Sequence, residues 1–93
     1  MSTASRDIVV GNSAGLHARP VMQFVDVANQ FNSTITVTKP GPPDITVDGK
    51  SVLQMIGLEA IQGTPLRVKA EGQDAEQAVR ELAELFETKF GEE

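Results

Sequence analysis

Thr34-Ile35-Thr36-Val37-Thr38 and, after the interruption Lys39-Pro40-Gly41-Pro42-Pro43, Asp44-Ile45-Thr46-Val47 are the runs on which the fold turns. Polar and apolar residues alternate in each, the period of a strand with one face on a core and the other in water. The prolines remove amide donors and stiffen the connection, so the runs read as an antiparallel pair ended by Asp48-Gly49. Strands with one wet face need helices on the other face only. That requirement points to a layer of helices on one side of an open sheet.

Working outward, Asp7-Ile8-Val9-Val10 is a short β-type run closed by Gly11-Asn12. The period changes at Ala18. Val21, Phe24, Ala28 and Phe31 recur at spacings of three and four, which predicts an amphipathic helix beginning at His17 or Ala18 and closed by Asn32-Ser33. Pro20 fits only its first turn. Ser51-Val52-Leu53-Gln54 has the form of a capping box and predicts a second helix to about Ala60. Pro65 to Ala70 alternates again, up to Glu71-Gly72. Asp74, with Gln77 three residues on, predicts the cap of a last helix whose apolar face is Ala75, Ala78, Val79, Leu82, Leu85 and Phe86. Gly91-Glu92-Glu93 reads as a frayed end. The order β-α-β-β-α-β-α predicts an α+β, two-layer open-faced β-sandwich: a four-stranded antiparallel sheet with three helices on one face. Residues 1–93 are expected to form one domain with an ordered core from about 6 to 89.

Composition narrows the function. The formal charge is −5, Lys and Arg form no stripe, and neither Trp nor Tyr occurs, so a nucleic-acid surface is not expected. Without cysteine and with a single histidine, disulfides and a zinc site are not expected, and no cofactor is called for. No apolar run approaches the roughly 20 residues that span a bilayer. The segment Met1 to Asp7 has no signal-peptide pattern, and cytoplasmic residence is expected.

The chemistry concentrates in Gly15-Leu16-His17-Ala18-Arg19-Pro20. A lone His is more often a surface or packing residue than a functional one. This one stands at a helix start, where unpaired amides and the positive end of the macrodipole attract anions. Arg19 adds a charged fork able to grip phosphoryl oxygens, and Gly15 would allow close backbone approach to an anion. A neutral imidazole can attack phosphorus and later release the group. No second His or local carboxylate is evident to complete a hydrolase, which suits a carrier better than an enzyme.

The hexad resembles the active-site signature of HPr, the histidine-containing phosphocarrier of the bacterial phosphoenolpyruvate:sugar phosphotransferase system, and the likeness runs from about Asp7 to Phe86. It implies that His17 accepts phosphate from enzyme I and passes it to an enzyme IIA domain in sugar uptake, with Arg19 stabilising phosphoryl charge. Ser51 by itself is a helix cap. The resemblance adds a regulatory role, because many HPr proteins carry near Lys50-Ser51-Val52-Leu53 a serine phosphorylated by HPr kinase/phosphorylase. It also implies partner docking by Met22, Lys50 and Leu53, in a protein expected to be monomeric. Of Val52, Leu53, Met55 and Ile56, two or three are expected in the core. Asp26, Asn29 and Gln54 stand where relatives carry lysines, and Glu59 where a small residue is frequent. An alternative is a regulatory module of an incomplete or nitrogen-type phosphotransferase system, controlled at His17, Ser51 or both. An independent enzyme using His17 as nucleophile is a third reading.

Overall fold

The computed structural model describes residues 2–92. The order is β1 (Ser2–Val9), α1 (Ala18–Ala28), β2 (Thr34–Lys39), β3 (Ile45–Asp48), α2 (Val52–Ile56), β4 (Pro65–Gly72) and α3 (Ala75–Glu87), followed by a 3-10 turn, Lys89–Gly91. The four strands form one antiparallel sheet in the order β1-β4-β2-β3. It is the expected open-faced sandwich.

β4 shows why the sheet has one wet face. Leu66, Val68 and Ala70 are buried, whereas Pro65, Arg67, Lys69 and Glu71 are exposed. Ile35 and Val37 of β2 and Ile8 of β1 continue the apolar side. α1 covers it with Val21, Phe24, Val25 and Ala28, and α3 with Ala78, Val79, Leu82 and Phe86. Phe24 meets Phe86 edge-on at 5.9 Å between ring centres, and Phe86 meets Phe90 at 4.8 Å. Such pairs add about 0.5–1.5 kcal/mol each beyond buried area.

The departures lie at element ends. β1 begins at Ser2 rather than near Asp7, pairing through Ser2↔Gly72 to Val9↔Pro65. Its first residues carry no clear apolar alternation, so the β4 ladder holds them where side-chain pattern is silent. α1 ends at Ala28 because the next amides, Gln30 N to Val27 O and Phe31 N to Ala28 O, make tighter three-residue bonds. α2 stops at Ile56, and Glu59 at φ 51° turns the chain out of the helix. That left-handed position explains why a residue without a bulky side chain suits it. Leu85, expected on the apolar face of α3, is only partly buried, while Ala83 is fully covered.

Both predicted caps are rearranged. Ser51 Oγ accepts from Gln54 N at 3.2 Å, but the Gln54 side chain accepts from Asp48 N at 2.9 Å instead of completing the box. The Ser51 amide is already given to Asp48 O. Asp74 makes no side-chain cap on α3. Its carboxylate accepts from Asn32 N at 2.9 Å, from Ser33 N at 3.0 Å and from the Ser33 hydroxyl, tying the start of β2 to α3. The buried Ser33 amide needs an acceptor more than an exposed helix amide does.

The Ser33 hydroxyl and then the Asn32 amide hold the Asp74 carboxyl below its ordinary value of 3.8. A depressed folded-state value contributes stability above the unfolded value and loses it as pH falls through the folded one. Asp74→Asn is therefore expected to melt below wild type at neutral pH, with the gap closing as pH falls below 3.8. Thermal melts at stepped pH check this, and a gap that stays constant into acid would contradict it.

Candidate functional site

The local sequence places His17 as the N-cap of α1, with φ −87° and ψ −170°, and its side chain makes no cap bond. Val21 N returns to His17 O at 3.1 Å, closing the first turn. Ala18 and Arg19 amides have no intrahelical acceptor at these positions, and Pro20 has no N–H to leave orphaned. Arg19 is exposed, and among the described residues its guanidinium has no ion-pair partner.

The loop before His17 is fastened to the segment after α2. Leu16 N donates to Ala60 O at 2.8 Å, Val10 N to Thr64 O at 3.0 Å, and Gly63 N to Val10 O at 2.8 Å. Gly15, at φ 72°, lies so close to that segment that a Cβ would stand 2.8 Å from Ala60 O. Its role is thus to let two loops meet. That differs from the expectation that it clears space for an anion.

Two residues that the structure brings to His17 or its loop were not among the sequence expectations for the site. Glu92, expected to fray, is only partly exposed, and its Oε2 lies 3.1 Å from His17 Nε2. A carboxylate only accepts, so Nε2–H donates. The same carboxylate accepts through Oε1 from Asn12 Nδ2 at 3.0 Å. Asn12 is 1% exposed and also donates to Gly15 O at 2.7 Å, while its Oδ1 is buried without a partner among the described residues. Among those residues His17 Nδ1 carries no hydrogen bond. No carboxylate close in sequence was expected to orient His17, and the one that reaches it comes from 75 residues away. Phe90 followed by Gly91 just past α3 is the one sequence signal, an apolar anchor beside a turn residue. Glu93 lies outside the described residues.

α1 packs on α2, and each helix leaves apolar side chains in solvent. Met22 is 56% exposed and Leu53 84% exposed. Val52 and Ile56 are also exposed, so of the four apolar residues of α2 only Met55 enters the core, fewer than the two or three expected. A five-residue helix has room for one inward position of that size, and the rest form an apolar surface. Lys50 Nζ donates to Phe31 O at 2.8 Å, and Lys39 Nζ to Leu58 O at 2.8 Å, so both ammonium groups brace chain turns that follow helices. Ser51 is half-buried, with its hydroxyl oxygen at the start of α2.

The family described as PTS HPr component phosphorylation site matches residues 4–88. This chain belongs to the HPr family. Phosphocarrier protein HPr of Haemophilus influenzae is 42% identical over 84 residues, covering 90% of this chain and 95% of that protein. The multiphosphoryl transfer protein of Salmonella typhimurium is 39% identical over 88 residues; these cover 95% of this chain, which spans only 23% of that relative. An HPr from Thermoanaerobacter tengcongensis superposes with a TM-score of 0.87 at 40% identity, covering 100% of this chain and 99% of that one. An HPr dimer from the same organism is also similar, with a TM-score of 0.73 at 40% identity, covering 91% and 94%. Membership of HPr accounts for the open-faced fold. No helix among the described residues is long and apolar enough to cross a membrane, and among them no group of three or more His, Cys, Asp or Glu could hold a metal ion.

Proposed function

We propose that this HPr-family chain carries phosphoryl groups on His17, receiving them from phosphoenolpyruvate-charged enzyme I and handing them to an enzyme IIA domain in sugar uptake, in the cytoplasm and as a monomer. The observation that carries the reading is the imidazole at the start of α1, with Nε2 engaged by Glu92 and Nδ1 unengaged among the described residues. An Nε2–H tautomer leaves the lone pair on Nδ1, the nucleophilic atom. Arg19 sits in the same first turn to meet phosphoryl oxygens. Met22 and Leu53, joined by Val52 and Ile56, offer an apolar docking surface that successive partners can share, and Lys50 at its margin braces the turn after α1.

A regulatory reading is favoured by Ser51. A phosphate on its oxygen would add about two negative charges next to the exposed Val52 and Leu53, where enzyme I would dock.

Isotope labelling tests both readings. With enzyme I and labelled phosphoenolpyruvate the protein is expected to take up acid-labile phosphate and lose it to an added enzyme IIA domain. Label that enters but never moves on would favour the regulatory module. No label at all overturns the carrier. With HPr kinase and ATP an acid-stable phosphate is expected on wild type and absent from Ser51→Ala; equal label on both removes Ser51 from the regulatory account. The monomer is checked by the mass in the same buffer, and a stable dimer overturns it.

A further inference from the structure

We propose that Glu92 is a positioning residue whose carboxylate keeps the His17 proton on Nε2, so that Nδ1 stays the nitrogen that takes and returns the phosphoryl group. The inference rests on His17 being the phosphorylated residue and names what holds it ready.

Three independent features fix Glu92 there. Its carboxylate reaches His17 Nε2 with both oxygens, at 3.1 and 3.4 Å. Asn12 supplies a second anchor from the site loop. One amide hydrogen goes to Glu92 and the other to Gly15 O, an orientation kept although it strands Oδ1 in the interior. The third feature is the backbone. Lys89 and Phe90 stand at φ 54° and 55°, followed by Gly91 at 74°, a left-handed turn that non-glycine residues rarely adopt. The Phe90 ring, 4% exposed and edge-on to Phe86, holds the turn that carries Glu92 back to the site. Strained backbone persists only where the surroundings over-determine it.

The chemistry balances around a proton that never leaves Nε2. The Nδ1 lone pair attacks phosphorus, an N–P bond forms, and the donor's bond to phosphorus breaks with its electron pair leaving on the donor. The ring becomes a phosphoimidazolium whose positive charge is shared with Nε2–H and faced by Glu92. In onward transfer the lone pair of the acceptor's nucleophile bonds to phosphorus as the P–N bond breaks, the P–N pair returns to Nδ1, and the neutral Nε2–H ring is restored. A carboxylate on Nε2 therefore stabilises the positive charge that develops as the N–P bond forms. By keeping the Nε2 proton in place, it lets the ring leave phosphorus as a neutral imidazole rather than as an anion.

The experiment compares wild type, Glu92→Ala and Glu92→Gln by nitrogen NMR of the 15N-labelled imidazole at a pH where the ring is neutral, and by the rate of phosphoryl uptake from enzyme I. Wild type is expected to show a protonated Nε2 and an unprotonated Nδ1. Glu92→Ala is expected to show exchange-averaged nitrogens and a roughly tenfold slower transfer, the size of one hydrogen bond to a charged group, with KM for enzyme I unchanged. Glu92→Gln, which still accepts from Nε2–H but lacks charge, is expected to restore the nitrogen pattern and only part of the rate. A Glu92→Ala spectrum like wild type, or an altered spectrum with an unaltered rate, overturns the proposal. A wild type that takes no label overturns the carrier reading instead, and the nitrogen spectra still decide what Glu92 does to the ring.

Discussion

His17→Ala is expected to take up no acid-labile phosphate from enzyme I and phosphoenolpyruvate, while melting within about 5 °C of wild type. The loss is to assay background because His17 is the one imidazole in the chain and no cysteine can stand in for it. Alanine has no lone pair to offer phosphorus, so even perfect docking and an intact Arg19 transfer nothing. Stability changes little for separate reasons. The His17 side chain is 41% exposed, makes no cap bond, and loses only a partly solvated contact to Glu92, worth about 0–1 kcal/mol. Labelling and a thermal melt on the same preparation check both halves. Acid-labile label retained in the variant would place the phosphorylated residue elsewhere. A collapse in melting temperature would show that the histidine helps to hold the fold.

Gly15→Val is expected to lower stability by about 3 kcal/mol and to slow phosphoryl uptake at least tenfold. Two penalties add. Glycine holds φ 72° there, a conformation that a β-branched residue strongly resists. The new Cβ would also lie 2.8 Å from Ala60 O and 3.1 Å from Ile61 Cα, both backbone atoms with little freedom to withdraw. Relief requires the loop before His17 to part from the segment after α2, breaking the Leu16 N to Ala60 O bond. That movement shifts the N-terminus of α1 and loosens the Asn12 amide that donates to Gly15 O. Chemical denaturation measures the first effect and a transfer assay at a temperature where the variant is folded measures the second. A destabilised variant with wild-type transfer would separate the loop contact from the chemistry.

Much of the fold was legible because side-chain period reports burial. The alternation in Thr34–Thr38 and Pro65–Ala70 named which face each strand buries, and the three-and-four spacing of Val21, Phe24 and Ala28 named the inner side of α1. Where pattern was absent, reading failed for the same reason. Ser2 to Arg6 pair in the sheet through backbone groups, which leave no mark on residue choice, and of their apolar side chains only Ala4 packs on the core. Asp74 has the look of a local cap because Asp is common there, yet its acceptors serve Asn32 and Ser33, 42 and 41 residues back. At the site, His17 and Arg19 were readable as a compact string. Glu92 was not, since acids are frequent at chain ends and its meaning depends on a left-handed turn that only Gly91 hints at.

The distance along the chain between His17 and Glu92 has a consequence for how the protein is made. Antiparallel pairing of Ser2–Val9 with Pro65–Gly72 cannot begin until some seventy residues are in place, and contacts so distant in sequence form slowly. As a ribosome releases the chain from its N-terminal side, the histidine emerges 75 residues before its acid. A nascent chain that has exposed α1 therefore presents the imidazole without its carboxylate. The complete site arises only after residue 92 has cleared the exit tunnel and the turn at Lys89–Gly91 has closed.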